Sequence, residues 1–228
     1  MHRIAFRNRA GHEPSRLEGF SDAVFGFALT LIVVSLEVPD TFDDLLGRMR
    51  GLPGFAICFA FLVWIWHEHH TYFRRYALTD EWTIVLNTIL LFIVLTYVYP
   101  LKFLFTLLTG AAHRADAIRT NQWGTLMLIY AAGFIGVFTV LLLMYVHAYR
   151  LRGELQLNAV EAFDTNTMII LYSGYVGIGV LSALIALVAN RENIRWSGWI
   201  YACLGIVGGV VGWVRGSRRA RVESALTA

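Results

Sequence analysis

The sequence predicts an all-α fold, a single membrane domain over residues 1–228 with six transmembrane helices. Of its 228 residues, 57% are hydrophobic and only 15% are charged, whereas soluble domains have about 45–50% and about 25%. A transmembrane helix takes about 20 apolar residues, so six of them occupy most of the chain. We therefore expect a membrane protein without a separate soluble catalytic domain.

Six apolar runs follow the polar N-terminal segment. Each is long enough to cross the hydrocarbon core of a bilayer. The first run is too long for a signal peptide and lacks an Ala-x-Ala-like cleavage site, so we interpret it as a retained span. The predicted spans are approximately 17–38, 52–70, 82–101, 123–149, 168–189 and 196–214.

The arginines are unequally distributed between alternate loops. The side that holds both termini, the second-to-third loop and the fourth-to-fifth loop carries 12 of them, and the other side carries 6. The positive-inside rule therefore predicts that both termini are cytoplasmic, in a multi-pass protein of the cell membrane whose surroundings are the lipid bilayer. A net charge of +3 fits inside-facing loops better than a nucleic-acid surface, so we expect no nucleic-acid partner.

The first span begins with ionisable residues before it becomes purely apolar. Arg16, Glu18 and Asp22 lie in its first two turns, and Phe20 and Ser21 complete the pattern Arg-x-x-x-Phe-Ser-Asp. An acidic residue inside a span is a functional-site candidate by default. Position alone leaves an equal alternative, in which these charges lie among the lipid headgroups and mark the cytoplasmic end of the helix.

This motif resembles the signature of the transmembrane protein 175 family, potassium-permeable channels of bacteria and animal endolysosomes. The second span ends in Trp66 followed by His69 and His70, similar to the Trp-x-x-His-His of the family. The third span contains a Leu-Asn pair at Asn87, also similar to the family. The resemblance covers about the first half of the chain. It implies that Trp66, His69, His70 and Asn87 form a supporting network that hydrogen-bonds toward the region of Arg16 and Asp22.

The resemblance also implies a homotetramer in a bacterial plasma membrane, with the first helix of each subunit lining a central pore for K⁺. It implies a hydrophobic constriction in place of the Thr-Val-Gly-Tyr-Gly filter loop, a sequence that this chain does not contain. Counted from Asp22, the constriction falls at Phe27, and the next pore-facing positions are Thr30, Leu31 and Val34. These positions share one helix face. The family usually has isoleucine or leucine at the constriction, and Phe27 departs from that pattern.

Two other functions stay open at this stage. The segment His67 to His70 contains imidazole and carboxylate groups, which are good zinc ligands, and so allows a metal-binding or cofactor-binding membrane protein. It has no further partners at metal-site spacing, so we predict no metal and no cofactor. A secondary membrane transporter would need broken helices and ions near the midplane, where these spans carry almost no ionisable residues. We therefore expect a channel and not an enzyme.

Overall fold

The computed structural model of this chain describes residues 15–34, 40–49, 51–108, 122–188 and 195–227. Within these ranges every regular element is helical, and six of the helices have 19 residues or more, which confirms the predicted all-α, six-helix fold. The elements are α1 (Arg16–Val34), α2 (Phe42–Met49), α3 (Leu52–Tyr76), α4 (Glu81–Leu108), α5 (Trp123–Arg150), α6 (Ala159–Val188), α7 (Arg195–Trp199), a 3₁₀ turn (Ile200–Ala202) and α8 (Cys203–Thr227).

Five helices are long and apolar enough to cross a membrane, as judged over the described residues. They are α3, α4 as far as Leu104, α5, α6 and the segment Trp196–Ser224. The remaining long helix, α1, has 19 residues; at about 1.5 Å per residue it is close to the thickness of the hydrocarbon core, about 30 Å. The chain is a multi-pass membrane protein.

The helices extend beyond several of the predicted span ends because capping groups, and not the membrane boundary, stop a helix. α6 begins at Ala159, since the Glu161 N–H donates to Asn158 Oδ1 at 2.8 Å and the Asn158 N–H donates to Glu161 Oε2 at 3.1 Å. α3 continues to Tyr76 and ends at Ala77, whose φ of 51° is left-handed. The predicted span ends at residues 38 and 189 lie outside the described residues.

Pro100 lies inside α4, and the helix continues past it to Leu108. A proline removes one backbone donor, and neighbouring helices in a membrane bundle make this tolerable. The sixth predicted span, in contrast, is divided near its start. There Ser182 Oγ donates to the Ser197 carbonyl at 2.9 Å and Ser197 Oγ donates to the Ser182 carbonyl at 3.0 Å, which joins α7 to α6.

α3 contacts two groups of helices at successive positions along its length. Trp66 and His69 contact α1 and α4. About one turn further along, the Tyr72 hydroxyl donates to the Met144 carbonyl of α5 at 3.2 Å, and the Tyr76 hydroxyl lies 2.7 Å from Thr165 Oγ1 of α6. Tyr72 and Tyr76 are fully buried, together with Tyr145 and Tyr172. The position of α1 is therefore linked through α3 to the α5–α6 pair.

Candidate functional site

α1 buries one face in the subunit and exposes the other. Phe25, Ala28 and Ile32 follow one another at spacings of three and four residues and expose 2% or less of their surface. Phe20 and Phe27, on the opposite face, expose 60% and 68%. The sequence pattern alone did not distinguish these faces, because both are apolar.

The start of α1 is capped by Ser15 and Glu18. The Glu18 N–H donates to Ser15 Oγ at 3.1 Å, and the Ser15 hydroxyl lies 3.5 Å from Glu18 Oε1. The first of these contacts is that of a Ser-x-x-Glu capping box, but the Glu18 carboxylate is near the Ser15 hydroxyl and not the Ser15 N–H. Glu18 is 5% exposed. We did not predict this cap, although the Ser-x-x-Glu spacing that signals it is present in the sequence.

A chain of buried hydrogen bonds joins α1 to α4 and α3. Asn87 Nδ2 donates to Ser21 Oγ at 2.9 Å, and Ser21 Oγ donates to the Leu17 carbonyl at 2.8 Å. His69 Nε2 lies 2.8 Å from Asn87 Oδ1. Ser21, Asn87 and His69 are each 0% exposed. We call this the Ser21–Asn87–His69 chain; it joins α1, α4 and α3.

The direction of this chain determines the tautomer of His69. Asn87 Oδ1 can only accept a hydrogen bond, so His69 Nε2 must carry the proton that it donates. In the neutral ring His69 Nδ1 then holds a lone pair, and it has no hydrogen-bond partner among the described residues. The imidazole lies between the rings of Phe25 and Phe73, at centroid distances of 5.5 Å and 4.7 Å.

Trp66 forms a second connection between α3 and α1. Its Nε1–H donates to Asp22 Oδ1 at 2.8 Å, and its indole stacks on His70 with ring centroids 5.3 Å apart and planes 19° apart. The structure therefore places Trp66, His70 and Asp22 in one contact group, next to the Ser21–Asn87–His69 chain. Arg16 is exposed on the first turn.

The four expected pore positions differ in their surroundings. Phe27 and Thr30 lie on the exposed face of α1, and Thr30 Oγ1 donates to the Phe27 carbonyl at 2.8 Å. Leu31 is half-buried. The side chain of Val34 lies outside the described residues.

The histidines of the segment 67–70 diverge instead of converging. His67 is exposed, His69 points to Asn87 and His70 lies on Trp66. Glu68 belongs to another contact group, in which its carboxylate accepts hydrogen bonds from Trp64 at 3.1 Å and from Tyr172 at 2.7 Å. In the part of the chain that the structure describes, no three His, Cys, Asp or Glu side chains are placed to hold a metal ion.

The far end of α1 is held by a contact that sequence reasoning did not find. Lys102 Nζ, on α4, donates to the carbonyl oxygen of Ile32 at 3.3 Å. The two residues are 70 positions apart, so no local pattern signals their contact. Hydrogen bonds therefore attach α1 to its neighbours near its start, at Ser21 and Asp22, and near its end, at Ile32.

Comparisons with known proteins point to one family. A family profile described as "Endosomal/lysosomal potassium channel TMEM175" matches residues 16–100. A protein of Marivirga tractuosa named "Potassium channel" is 40% identical over 205 residues, which cover 84% of this chain and 83% of that protein. A potassium channel of Chamaesiphon minutus is 28% identical over 144 residues, 60% of this chain and 66% of that protein.

Two solved structures are similar to this chain. The crystal structure of a Thr-to-Ala variant of the potassium channel MtTMEM175, in complex with a nanobody fusion protein, matches with a TM-score of 0.83 and 37% identity over 94% of this chain and 98% of that one. The crystal structure of a TMEM175 homologue from Chamaesiphon minutus matches with a TM-score of 0.58 and 22% identity over 90% and 96% of the two chains, which shows a shared fold.

Proposed function

Because this chain belongs to the TMEM175 family of potassium channels, we propose that four copies assemble into a K⁺-selective pore in a bacterial plasma membrane. In this proposal α1 of each copy lines the pore, Phe27 forms a hydrophobic constriction, and Thr30, Leu31 and Val34 continue the same lining. The family and these relatives are channels and not enzymes.

The observation that carries the proposal is the asymmetry of α1. Its buried face is held by the Ser21–Asn87–His69 chain, while Phe27 leaves 68% of its surface uncovered. A helix that faces only lipid has no need of a fixed rotation about its axis, whereas a pore-lining helix must present the same residues in every copy. The buried polar contacts supply that fixed rotation.

The chemistry of the exposed face suits a filter built from side chains. An apolar ring at Phe27 gates by excluding water from a narrow pore. The Thr30 hydroxyl uses its proton on the Phe27 carbonyl, which leaves its oxygen lone pairs available to a cation. A ring of four such oxygens replaces part of the hydration shell of a permeating ion.

The size of Phe27 sets the expected effect of removing it. Four phenylalanine rings occupy more space than the four isoleucine or leucine side chains that are usual in the family, so this pore is expected to be narrow. In Phe27→Ala we expect a K⁺ flux several-fold higher and a smaller K⁺ to Na⁺ ratio. In Thr30→Ala we expect a smaller K⁺ to Na⁺ flux ratio without a large increase in the K⁺ flux.

The measurement is ion flux through purified protein in liposomes, driven first by a K⁺ gradient and then by a Na⁺ gradient. The matched control is Phe92→Ala, because Phe92 on α4 is similarly exposed, at 66%, but lies on another helix. An equal flux change in Phe27→Ala and Phe92→Ala would rule out a constriction at Phe27. Native mass spectrometry of the same sample tests the tetramer, which a dimer or trimer mass would contradict.

A further inference from the structure

We propose that a cleft between the start of α4 and the end of α5 binds an anionic phospholipid, with part of an acyl chain in the cleft and the phosphate at Arg150. The cleft has a volume of about 280 Å³. It is lined by Trp82 and Leu86 from α4 and by Leu143, Val146, His147 and Arg150 from α5. This proposal does not depend on ion conduction, since it needs only a chain that spans a membrane.

The walls of the cleft suit a hydrocarbon chain. Leu86, Leu143 and Val146 are aliphatic, and Leu143 is 45% exposed. Trp82 is 68% exposed beside the first turn of α4, at a position where indole rings commonly lie at the membrane interface. The cleft is therefore open toward the bilayer and apolar along its length.

One end of the cleft carries an unneutralised cation. Arg150 is the last residue of α5 and is exposed, and its guanidinium has neither a hydrogen bond nor an ion pair to any described residue. Arg152, two residues further, is occupied, since its guanidinium lies 4.7 Å from the Tyr149 ring centroid and donates to the Tyr149 carbonyl. Arg150 is thus the cation available to a ligand phosphate.

The acidic groups of the neighbouring turn do not neutralise Arg150. Asp80 accepts a hydrogen bond from His147 at 2.8 Å and another from Thr83 at 2.6 Å. Glu81 is exposed and does not line the cleft. Of the described residues that line it, none carries a carboxylate. His147 faces Asp80, so the charge at the open end of the cleft is that of Arg150.

This combination identifies the ligand by its chemistry. Free phosphate would bind the Arg150 cation but would not contact the apolar walls. A zwitterionic lipid carries a positive group, for which the lining offers no anionic partner. An anionic glycerophospholipid matches both features, and basic sites between transmembrane helices bind such headgroups in other proteins. By the arginine count, this end of the helices faces the cytoplasmic leaflet.

The test is quenching of tryptophan fluorescence by lipids with brominated acyl chains, added to detergent-solubilised protein. The difference between the unmodified protein and Trp82→Phe isolates the signal of Trp82. We expect brominated phosphatidylglycerol to quench Trp82 at about a fivefold lower concentration than brominated phosphatidylcholine, the ratio that about 1 kcal/mol per arginine implies.

Two variants and one competitor decide the outcome. Arg150→Gln should abolish the preference for phosphatidylglycerol, and the control Arg152→Gln should keep it. Equal quenching of Trp82 by the two lipids, or an unchanged preference in Arg150→Gln, would overturn the proposal. Relief of quenching by inorganic phosphate alone would assign the site to a free anion, which also overturns it.

Discussion

At the residue scale, three buried polar side chains join α1 to α3 and α4. Ser21, Asn87 and His69 are each 0% exposed and share two hydrogen bonds that join three helices. Inside a bilayer no water is available to replace a lost partner. Their removal is therefore expected to cost more than the removal of an exposed hydroxyl on the same helix.

Asn87→Leu tests this expectation. It leaves the His69 Nε2 proton without an acceptor, and we expect a loss of about 1–3 kcal/mol in the free energy of unfolding, measured by SDS titration in mixed micelles. The control is Thr88→Val, because Thr88 is exposed and donates to the Ile84 carbonyl of its own helix. Similar losses in the two variants would show that the Ser21–Asn87–His69 chain does not stabilise the packing of α1.

A second residue-scale prediction concerns pH. Burial raises the pKa of Asp80, but hydrogen bonds from Thr83 and His147 lower it by more, so the pKa lies below its usual value. A lowered carboxyl pKa stabilises the folded state above the unfolded pKa, about 4, and this contribution is lost as the pH falls through the folded pKa. We expect unfolding midpoints measured between pH 7 and pH 3 to fall more steeply below pH 4 for the unmodified protein than for Asp80→Asn. Parallel curves would contradict this.

At the element scale, the apolar runs predicted the long helices, while their ends and the short elements escaped prediction. Hydropathy detects the hydrocarbon core, but α6 begins well before its apolar part because Asn158 and Glu161 cap it. α2 has eight residues and includes Asp43 and Arg48, so no apolar run marks it. No proline marks the position of the 3₁₀ turn at Ile200–Ala202.

The packing of α4 against α5 depends on the absence of a side chain at Gly133. A Cβ at this position would overlap the ring of Tyr97, which is held because its hydroxyl donates to the Tyr130 carbonyl at 2.8 Å. We expect Gly133→Ala to lower the free energy of unfolding by about 1–3 kcal/mol. Gly177→Ala is the control, since a Cβ there meets open space. An equal effect of the two substitutions would mean that Tyr97 moves aside freely.

At the scale of the whole molecule, the sequence located the network residues only through the resemblance of their motifs. Trp66 and Asp22 are 44 positions apart in the sequence, but Trp66 Nε1 lies 2.8 Å from Asp22 Oδ1. No spacing rule predicts that contact. Hydropathy cannot reveal which face of α1 is exposed, because Phe25 and Phe27 are the same residue type with opposite burial. By contrast, the cap at Ser15 could have been predicted from the Ser-x-x-Glu spacing of Ser15 and Glu18.

The arrangement of the whole chain across the membrane is tested through its termini. An even number of spans and the arginine excess on one side predict that both termini are cytoplasmic. We expect epitope tags at both ends to be protected from protease in intact cells and to be cleaved in inside-out vesicles. Cleavage of one tag in intact cells would require an odd number of crossings.

The contact between Lys102 and Ile32 has a practical consequence, because Lys102 is the only lysine in the chain. An amine-reactive fluorophore or spin label has one side-chain target in each copy, and that target lies 3.3 Å from the carbonyl of Ile32 near the end of α1. In the tetramer proposed above, a label on Lys102 would report distances between the labelled positions of neighbouring copies, close to the ends of their α1 helices, without any engineered cysteine. The chain thus carries its own attachment site for a spectroscopic test of that proposed assembly.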